Sequence, residues 1–72
     1  MKQSFYLYIL SFRGGNSRDT KSQFAEAAFL DHSFPKNSTS FEEISSYIEM
    51  IADDNMSTDT FDELWSLYEE KF

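Results

Sequence analysis

The sequence has no cysteine, one histidine and only six lysines and arginines, and these shortages exclude several classes of protein. Without cysteine, the chain forms neither a disulfide nor a cysteine-ligated zinc site. A formal net charge of −7 argues against general coating of DNA or RNA, because phosphate binding needs clustered lysine and arginine. The same charge argues against adhesion to an anionic membrane surface.

Long apolar runs are also missing. The longest run covers residues 5–10, whereas a membrane-spanning helix needs about 20 apolar residues. A secretory signal peptide needs a longer apolar stretch and a small-residue cleavage site, and the N-terminal stretch has neither. We therefore expect a soluble protein that stays in the cytoplasm, with no membrane partner.

Aromatic residues are abundant for so short a chain. Eight phenylalanines, four tyrosines and one tryptophan make up 18% of the 72 residues. Disordered acidic segments are poor in aromatics, whereas large buried rings give a small chain more core per residue. We expect residues 1–72 to fold as one domain with a small aromatic core.

Helical spacing of apolar residues recurs in four segments, at about 4–13, 18–32, 41–52 and 58–71. The stripe is clearest in the third and fourth segments, where apolar residues fall at i, i+3, i+4 and i+7. The first segment also has the composition of a strand, but no other run offers it a strand partner. No alternation of strands and helices is present, so the spacing predicts a compact all-α bundle of four short helices.

Polar residues at the segment starts predict helix caps. Ser4 is the candidate for the first helix, and Gly14-Gly15 marks its end. Ser17 or Asp19 is the candidate for the second, with a capping box in Thr20-x-x-Gln23. Two further capping boxes, each a hydroxyl residue followed three positions later by glutamate, are Ser40-x-x-Glu43 and Thr60-x-x-Glu63. Ser57 and Asp59 are alternative caps for the last helix.

Several stretches carry a family resemblance: Ser4-Phe5-Tyr6, Asp31-His32-Ser33-Phe34-Pro35-Lys36, Ile44-Ser45-Ser46-Tyr47-Ile48-Glu49, and Thr60-Phe61-Asp62-Glu63 with Trp65 and Tyr68. In these residues the chain resembles the YozE-like family of small Gram-positive bacterial proteins, in matching order and over essentially its whole length. The resemblance implies a fold similar to the sterile alpha motif, a small helical bundle. The family name carries no established activity, so the resemblance supplies no mechanism.

No motif in the sequence has the residues and spacing that catalysis, cofactor binding or metal binding requires. Asp31-His32-Ser33 is no catalytic triad, because adjacent side chains at a helix end point apart. His32 is better explained as a helix C-terminal residue beside the helix dipole. A calcium loop starting at Asp53 would need glycine at position 6 and glutamate at position 12, but has Thr58 and Leu64 there. We expect no enzyme activity and no cofactor.

Charge is distributed unevenly between the two halves of the chain. Residues 1–37 carry five cations and three acids, a net +2, whereas residues 38–72 carry one cation and ten acids, a net −9. We define a candidate basic patch as Arg13, Arg18, Lys21 and Lys36. We define a candidate acidic surface as Glu42, Glu49, Asp53, Asp54 and Asp62.

The charge layout favours a small interaction module that binds another protein, or a second copy of itself, by charge complementarity. The resemblance to sterile-alpha-motif-like domains implies head-to-tail contacts of the same kind. A helical domain that binds nucleic acid through the basic patch is the alternative, which the net charge makes unlikely. The acids also have an ordinary explanation, because solvated acidic helix faces keep a protein soluble.

Overall fold

The computed structural model describes residues 3–15 and 18–72. The described residues contain no strand, and they form four α-helices and one short 3₁₀ helix. The α-helices are α1 (Phe5–Ile9), α2 (Thr20–Leu30), α3 (Phe41–Ile51) and α4 (Thr58–Lys71), and the 3₁₀ helix (Leu10–Phe12) directly follows α1. The all-α prediction is confirmed, and the strand alternative for the first segment is wrong.

The first segment is not the single helix predicted for residues 4–13. The Ser4 hydroxyl accepts a hydrogen bond from the Leu7 amide at 3.2 Å, which confirms the predicted cap. The α-helix then tightens to 3₁₀ geometry after Ile9 and ends before Arg13, whose backbone is extended. Gly14 follows with φ +81°, a conformation that glycine adopts without steric cost.

The second helix is shorter at both ends than the predicted residues 18–32. The Asp19 carboxylate accepts a hydrogen bond from the Lys21 amide at 3.0 Å, so Asp19 is the cap. The capping box predicted to start at Thr20 is wrong, since Thr20 is already helical, and Ser17 lies outside the described residues. The backbone becomes extended at Asp31, so His32 lies in a turn beyond the helix. The interpretation of His32 as a residue at the C-terminal end of the helix is therefore wrong.

The third and fourth helices match their predicted spans closely. The Ser40 hydroxyl accepts from the Glu43 amide at 3.3 Å, as predicted. At α4 the Ser57 hydroxyl accepts from the Thr60 amide at 3.2 Å, so Ser57 is the cap. The box predicted at Thr60 and Glu63 is wrong, because Thr60 lies in the first helical turn.

The core is built around the ring of Phe5. This ring is fully buried, and its centroid lies within 5.3–6.4 Å of four other aromatic rings, those of Phe24, Phe61, Trp65 and Tyr68. We call these five residues the Phe5 cluster. Helix α4 supplies three of them and packs against α1, α2 and α3. Edge-to-face contacts between rings add to the apolar burial that stabilises so small a core.

A second group of rings secures the loop between α2 and α3. Phe34 is 3% exposed, and its ring centroid lies 5.6 Å from that of Tyr6 and 5.7 Å from that of Tyr47. This packing anchors the corner at Phe34-Pro35 in the core. We call Phe34, Tyr6, Tyr47 and the neighbouring Asp31 the Phe34 corner.

Helix length bears directly on membrane insertion. The longest helix of the described ranges is α4, with 14 residues. A helix that crosses a bilayer needs about 20 predominantly apolar residues. Within residues 3–15 and 18–72, no helix meets the length and hydropathy that spanning requires.

Candidate charged surfaces and a groove on helix α2

Two members of the candidate basic patch form ion pairs within the molecule. The Arg13 Nε donates to the Glu26 carboxylate at 3.1 Å, and its guanidinium lies 3.5 Å from the centroid of the Phe29 ring. The Lys21 Nζ lies 3.2 Å from a carboxylate oxygen of Glu63. Both cations are therefore already compensated by acids of the same chain.

The other two members lie elsewhere. The Lys36 ammonium is exposed and lies 5.9 Å from the centroid of the Tyr6 ring, within the range of a cation–π contact. Arg18 is exposed and precedes the cap of α2. The structure thus directs Arg13 toward α2, Lys21 toward α4 and Lys36 toward α1.

The five members of the candidate acidic surface are all exposed. Glu42 and Glu49 are seven residues apart on α3, so they share its solvent face. The ring of Phe41, at the start of α3, packs on that of Phe61 in α4, with ring centroids 5.4 Å apart. Glu42 directly follows Phe41 in the sequence, and Asp62 directly follows Phe61. Asp62 therefore lies on α4 beside the start of α3.

Asp53 and Asp54 lie in the loop after α3. The Asp53 carboxylate accepts a hydrogen bond from the Asn55 amide at 2.8 Å and closes a tight turn. Neither ion pair found in the described part of the chain, Arg13–Glu26 or Lys21–Glu63, involves any of the five acids. No group of three or more potential metal ligands occurs among residues 3–15 and 18–72.

A polar contact that the sequence analysis missed joins α3 to the end of α2. The Tyr47 hydroxyl donates to the Asp31 carboxylate, whose other oxygen accepts from the Ser33 amide at 3.0 Å. Burial, the hydrogen bond to Asp31 and the negative charge of Asp31 raise the pKa of Tyr47 to about 12. The residues are 16 positions apart, and no local pattern links them.

A groove of about 320 Å³, which was not predicted from the sequence, lies along α2. We call it the α2 groove. It is lined by α2 itself, by the glycine turn before α2 and by the loop after α3, and its principal residues are Gly14, Gly15, Gln23, Ala27, Leu30 and Asn55. Two adjacent glycines gave a sequence signal for a wall without side chains, but Asn55 is brought there only by the fold.

Comparison with known proteins identifies the family. The family model described as YozE SAM-like fold matches residues 4–70. The chain is 49% identical over 69 residues to the UPF0346 protein YozE of Bacillus subtilis, covering 96% of this chain and 93% of the relative. It is 48% identical to the UPF0346 protein GK1571 of Geobacillus kaustophilus, covering 94% of each chain.

Similar relatives extend beyond these two genera. A UPF0346 protein of Limosilactobacillus reuteri is 47% identical over 68 residues, covering 94% of this chain and 93% of that protein. No solved structure matches the chain. The family resemblance stated from the sequence is therefore confirmed, and the chain belongs to the YozE SAM-like family.

Proposed function

We propose that the protein is a small, non-enzymatic module that binds a cationic protein through the acidic surface of Glu42, Glu49, Asp53, Asp54 and Asp62. The proposal rests on a difference in ion pairing between these acids and the cations of the basic patch. The five acids are exposed and lie outside the described ion pairs, whereas Arg13 and Lys21 are each paired with an acid. Exposed charge of one sign attracts a partner of the opposite sign and speeds its association.

The same contrast favours a different protein over a second copy. Two copies each carry a formal charge of −7 and repel each other at long range. Arg13 and Lys21 already contact Glu26 and Glu63, which leaves fewer cations for head-to-tail pairing. A partner that brings its own lysines and arginines avoids this competition.

Nucleic-acid binding has less support from the geometry. Such binding requires a continuous stripe of cations that follows the phosphate backbone. Arg13, Lys21 and Lys36 instead contact three different helices. A lysine or arginine that already neutralises an acid of the same chain contributes less to the binding of phosphates.

An affinity capture tests the proposal. The tagged protein serves as bait in a lysate of Bacillus subtilis, the organism of a 49% identical relative, at 50 and 500 mM salt, with and without nuclease. We expect a specific protein that binds at low salt, dissociates at high salt and is indifferent to nuclease. Recovery that requires intact nucleic acid would favour the alternative instead.

Two matched variants separate a specific surface from net charge. Glu42→Gln/Glu49→Gln removes two charges from the solvent face of α3, and Glu69→Gln/Glu70→Gln removes two from the end of α4. We expect the first pair to lower capture severalfold and the second to leave it nearly unchanged. An equal loss with both pairs would contradict a defined surface.

A further inference from the structure

The α2 groove has a floor of mainly apolar surface, which the described residues leave uncovered. Gln23, Ala27 and Leu30 are spaced i, i+4 and i+7 and therefore share one face of α2. Leu30 is 69% exposed at the C-terminal end of this face. Because the bundle does not bury it, the Leu30 side chain adds apolar surface to the groove that it lines.

Small residues keep the groove open. Gly14 and Gly15 line it without side chains, and Ala27 contributes one methyl group. A Cβ atom added to Gly14 would meet no atom of the described residues within 4 Å. One added to Gly15 would lie 3.4 Å from the Ser22 Oγ, at the inner side of the groove. A volume of about 320 Å³ is at the lower end of the range of about 300–1,000 Å³ for ligand pockets.

The loop after α3 brings carboxylates close to the groove. Asn55 lines the groove, and its backbone amide donates to the Asp53 carboxylate at 2.8 Å. Asp53 therefore lies beside a lining residue, Asp54 is its neighbour in the same loop, and both are exposed to solvent. Glu26 also lines the groove, but its charge is compensated by Arg13. The groove thus combines an apolar floor with an acidic loop beside it.

We propose that the α2 groove receives an apolar side chain from an amphipathic, cationic helix of the partner protein, while lysines or arginines of that helix contact Asp53 and Asp54. Binding an amphipathic helix in an apolar groove is a recurring mode of recognition, in which side chains at i, i+3 and i+4 act as anchors. Charge complementarity selects a cationic helix over a second copy of this acidic chain. This inference rests on the proposed function and adds the anchoring site to it.

A defined peptide tests the inference without knowledge of the natural partner. The probe is a synthetic 18-residue amphipathic helix of leucine and lysine, and its control has glutamine in place of every leucine at the same charge. Each is titrated into the ¹⁵N-labelled full chain, and amide shifts are followed by NMR. We expect the leucine peptide to shift the amides of Gly14, Gly15, Leu30 and Asn55, and to bind at least about tenfold more tightly than the control.

Variants of exposed leucines provide the matched comparison. Leu30→Ser removes the apolar floor at a residue that is 69% exposed, and Leu7→Ser makes the same change on α1 at a residue that is 50% exposed. We expect Leu30→Ser to weaken binding of the leucine peptide at least about tenfold and Leu7→Ser to change it less than about twofold. Asp53→Asn/Asp54→Asn should weaken the binding of both peptides.

The possible failures are distinguishable. Equal binding of both peptides, with shifts confined to the α3 face of Glu42 and Glu49, would overturn the groove but leave the proposed acidic surface standing. Groove amides that shift with protein concentration alone would make a second copy the occupant and overturn the inference. Absence of binding by either peptide at 50 mM salt would overturn both the groove and the proposed function.

Discussion

The Phe5 cluster and the Phe34 corner are both built from aromatic rings, but they are held together by different forces. The Phe5 ring is fully buried among four other rings. The Phe34 corner has fewer ring contacts and depends in addition on the hydrogen bond from Tyr47 to Asp31. Apolar burial is insensitive to protonation, whereas the polar contact is not. The comparison therefore separates a region held mainly by apolar burial from one held in part by a hydrogen bond between two titratable side chains.

The largest expected effect comes from the Phe5 cluster. Phe5→Ala should lower the free energy of unfolding by about 3–5 kcal/mol, because it removes a buried ring and leaves a cavity among its neighbours. Urea unfolding followed by circular dichroism measures the change, with Phe72→Ala as the control, since Phe72 is 43% exposed. A loss no greater than that of the control would show that the cluster is not the main source of stability.

The next effect tests the polar contact of the Phe34 corner. Tyr47→Phe keeps the ring on Phe34 but removes the hydroxyl that donates to Asp31. At neutral pH the variant should lose about 2 kcal/mol of stability, because the acceptor of this hydrogen bond is a charged carboxylate. Unfolding of Tyr68→Phe gives the comparison with a fully buried tyrosine, whose hydroxyl donates to a neutral acceptor, the Gln3 carbonyl, at 2.5 Å.

The same variant has a characteristic pH dependence. The pKa of Tyr47 is raised from 10 to about 12 in the folded state, chiefly by burial and then by the bond to Asp31 and its charge. Its neutral form is therefore favoured by folding, so this stability is intact below pH 10 and is lost as the pH rises toward 12. The difference in stability between wild type and Tyr47→Phe should shrink over that range. A constant difference would contradict the assignment.

A smaller effect is expected at the start of α3, between the two regions. Ser40→Ala removes the hydroxyl that accepts from the Glu43 amide and should cost about 1 kcal/mol. Ser46→Ala, at an exposed position inside α3, is the matched control and should have little effect. If both variants behave alike, the cap does not contribute to the stability of α3.

The smallest effect is expected at the ion pair between Lys21 and Glu63, which lies outside both regions. Both partners are substantially exposed, so Lys21→Met should change the unfolding free energy by less than about 1 kcal/mol. Repeating the measurement with Glu63→Gln and with both changes gives the coupling between the two side chains. A coupling as large as the effect of Phe5→Ala would overturn the ranking.

Local sequence signals predicted those parts of the fold that depend on neighbouring residues. The bounds of α4 follow from its apolar stripe, and the cap of α3 from Ser40 three positions before Glu43. The end of α3 has no glycine signal, yet Ala52 adopts a left-handed conformation there with φ 46°. The break of the first helix into α and 3₁₀ parts was likewise missed, since its sequence is apolar throughout.

The features of the candidate surfaces also separate into those that local sequence signals predict and those that they do not. The exposure of Glu42 and Glu49 could be predicted, because they lie opposite the apolar stripe of α3. The pairing of Arg13 with Glu26 and of Lys21 with Glu63 could not, since each contact joins different elements of the fold. The α2 groove was missed for the same reason.

The sequence by itself determined the helical class, the family and the excess of acid in the second half of the chain. Helical periodicity, caps and composition act over a few residues, so they can be recognised without a fold. Only the tertiary structure decided which charges are compensated, that Tyr47 contacts Asp31, and that Asn55 lines one groove with the glycine turn before α2. These contacts depend on how the helices pack, because packing brings together residues that are far apart in the chain.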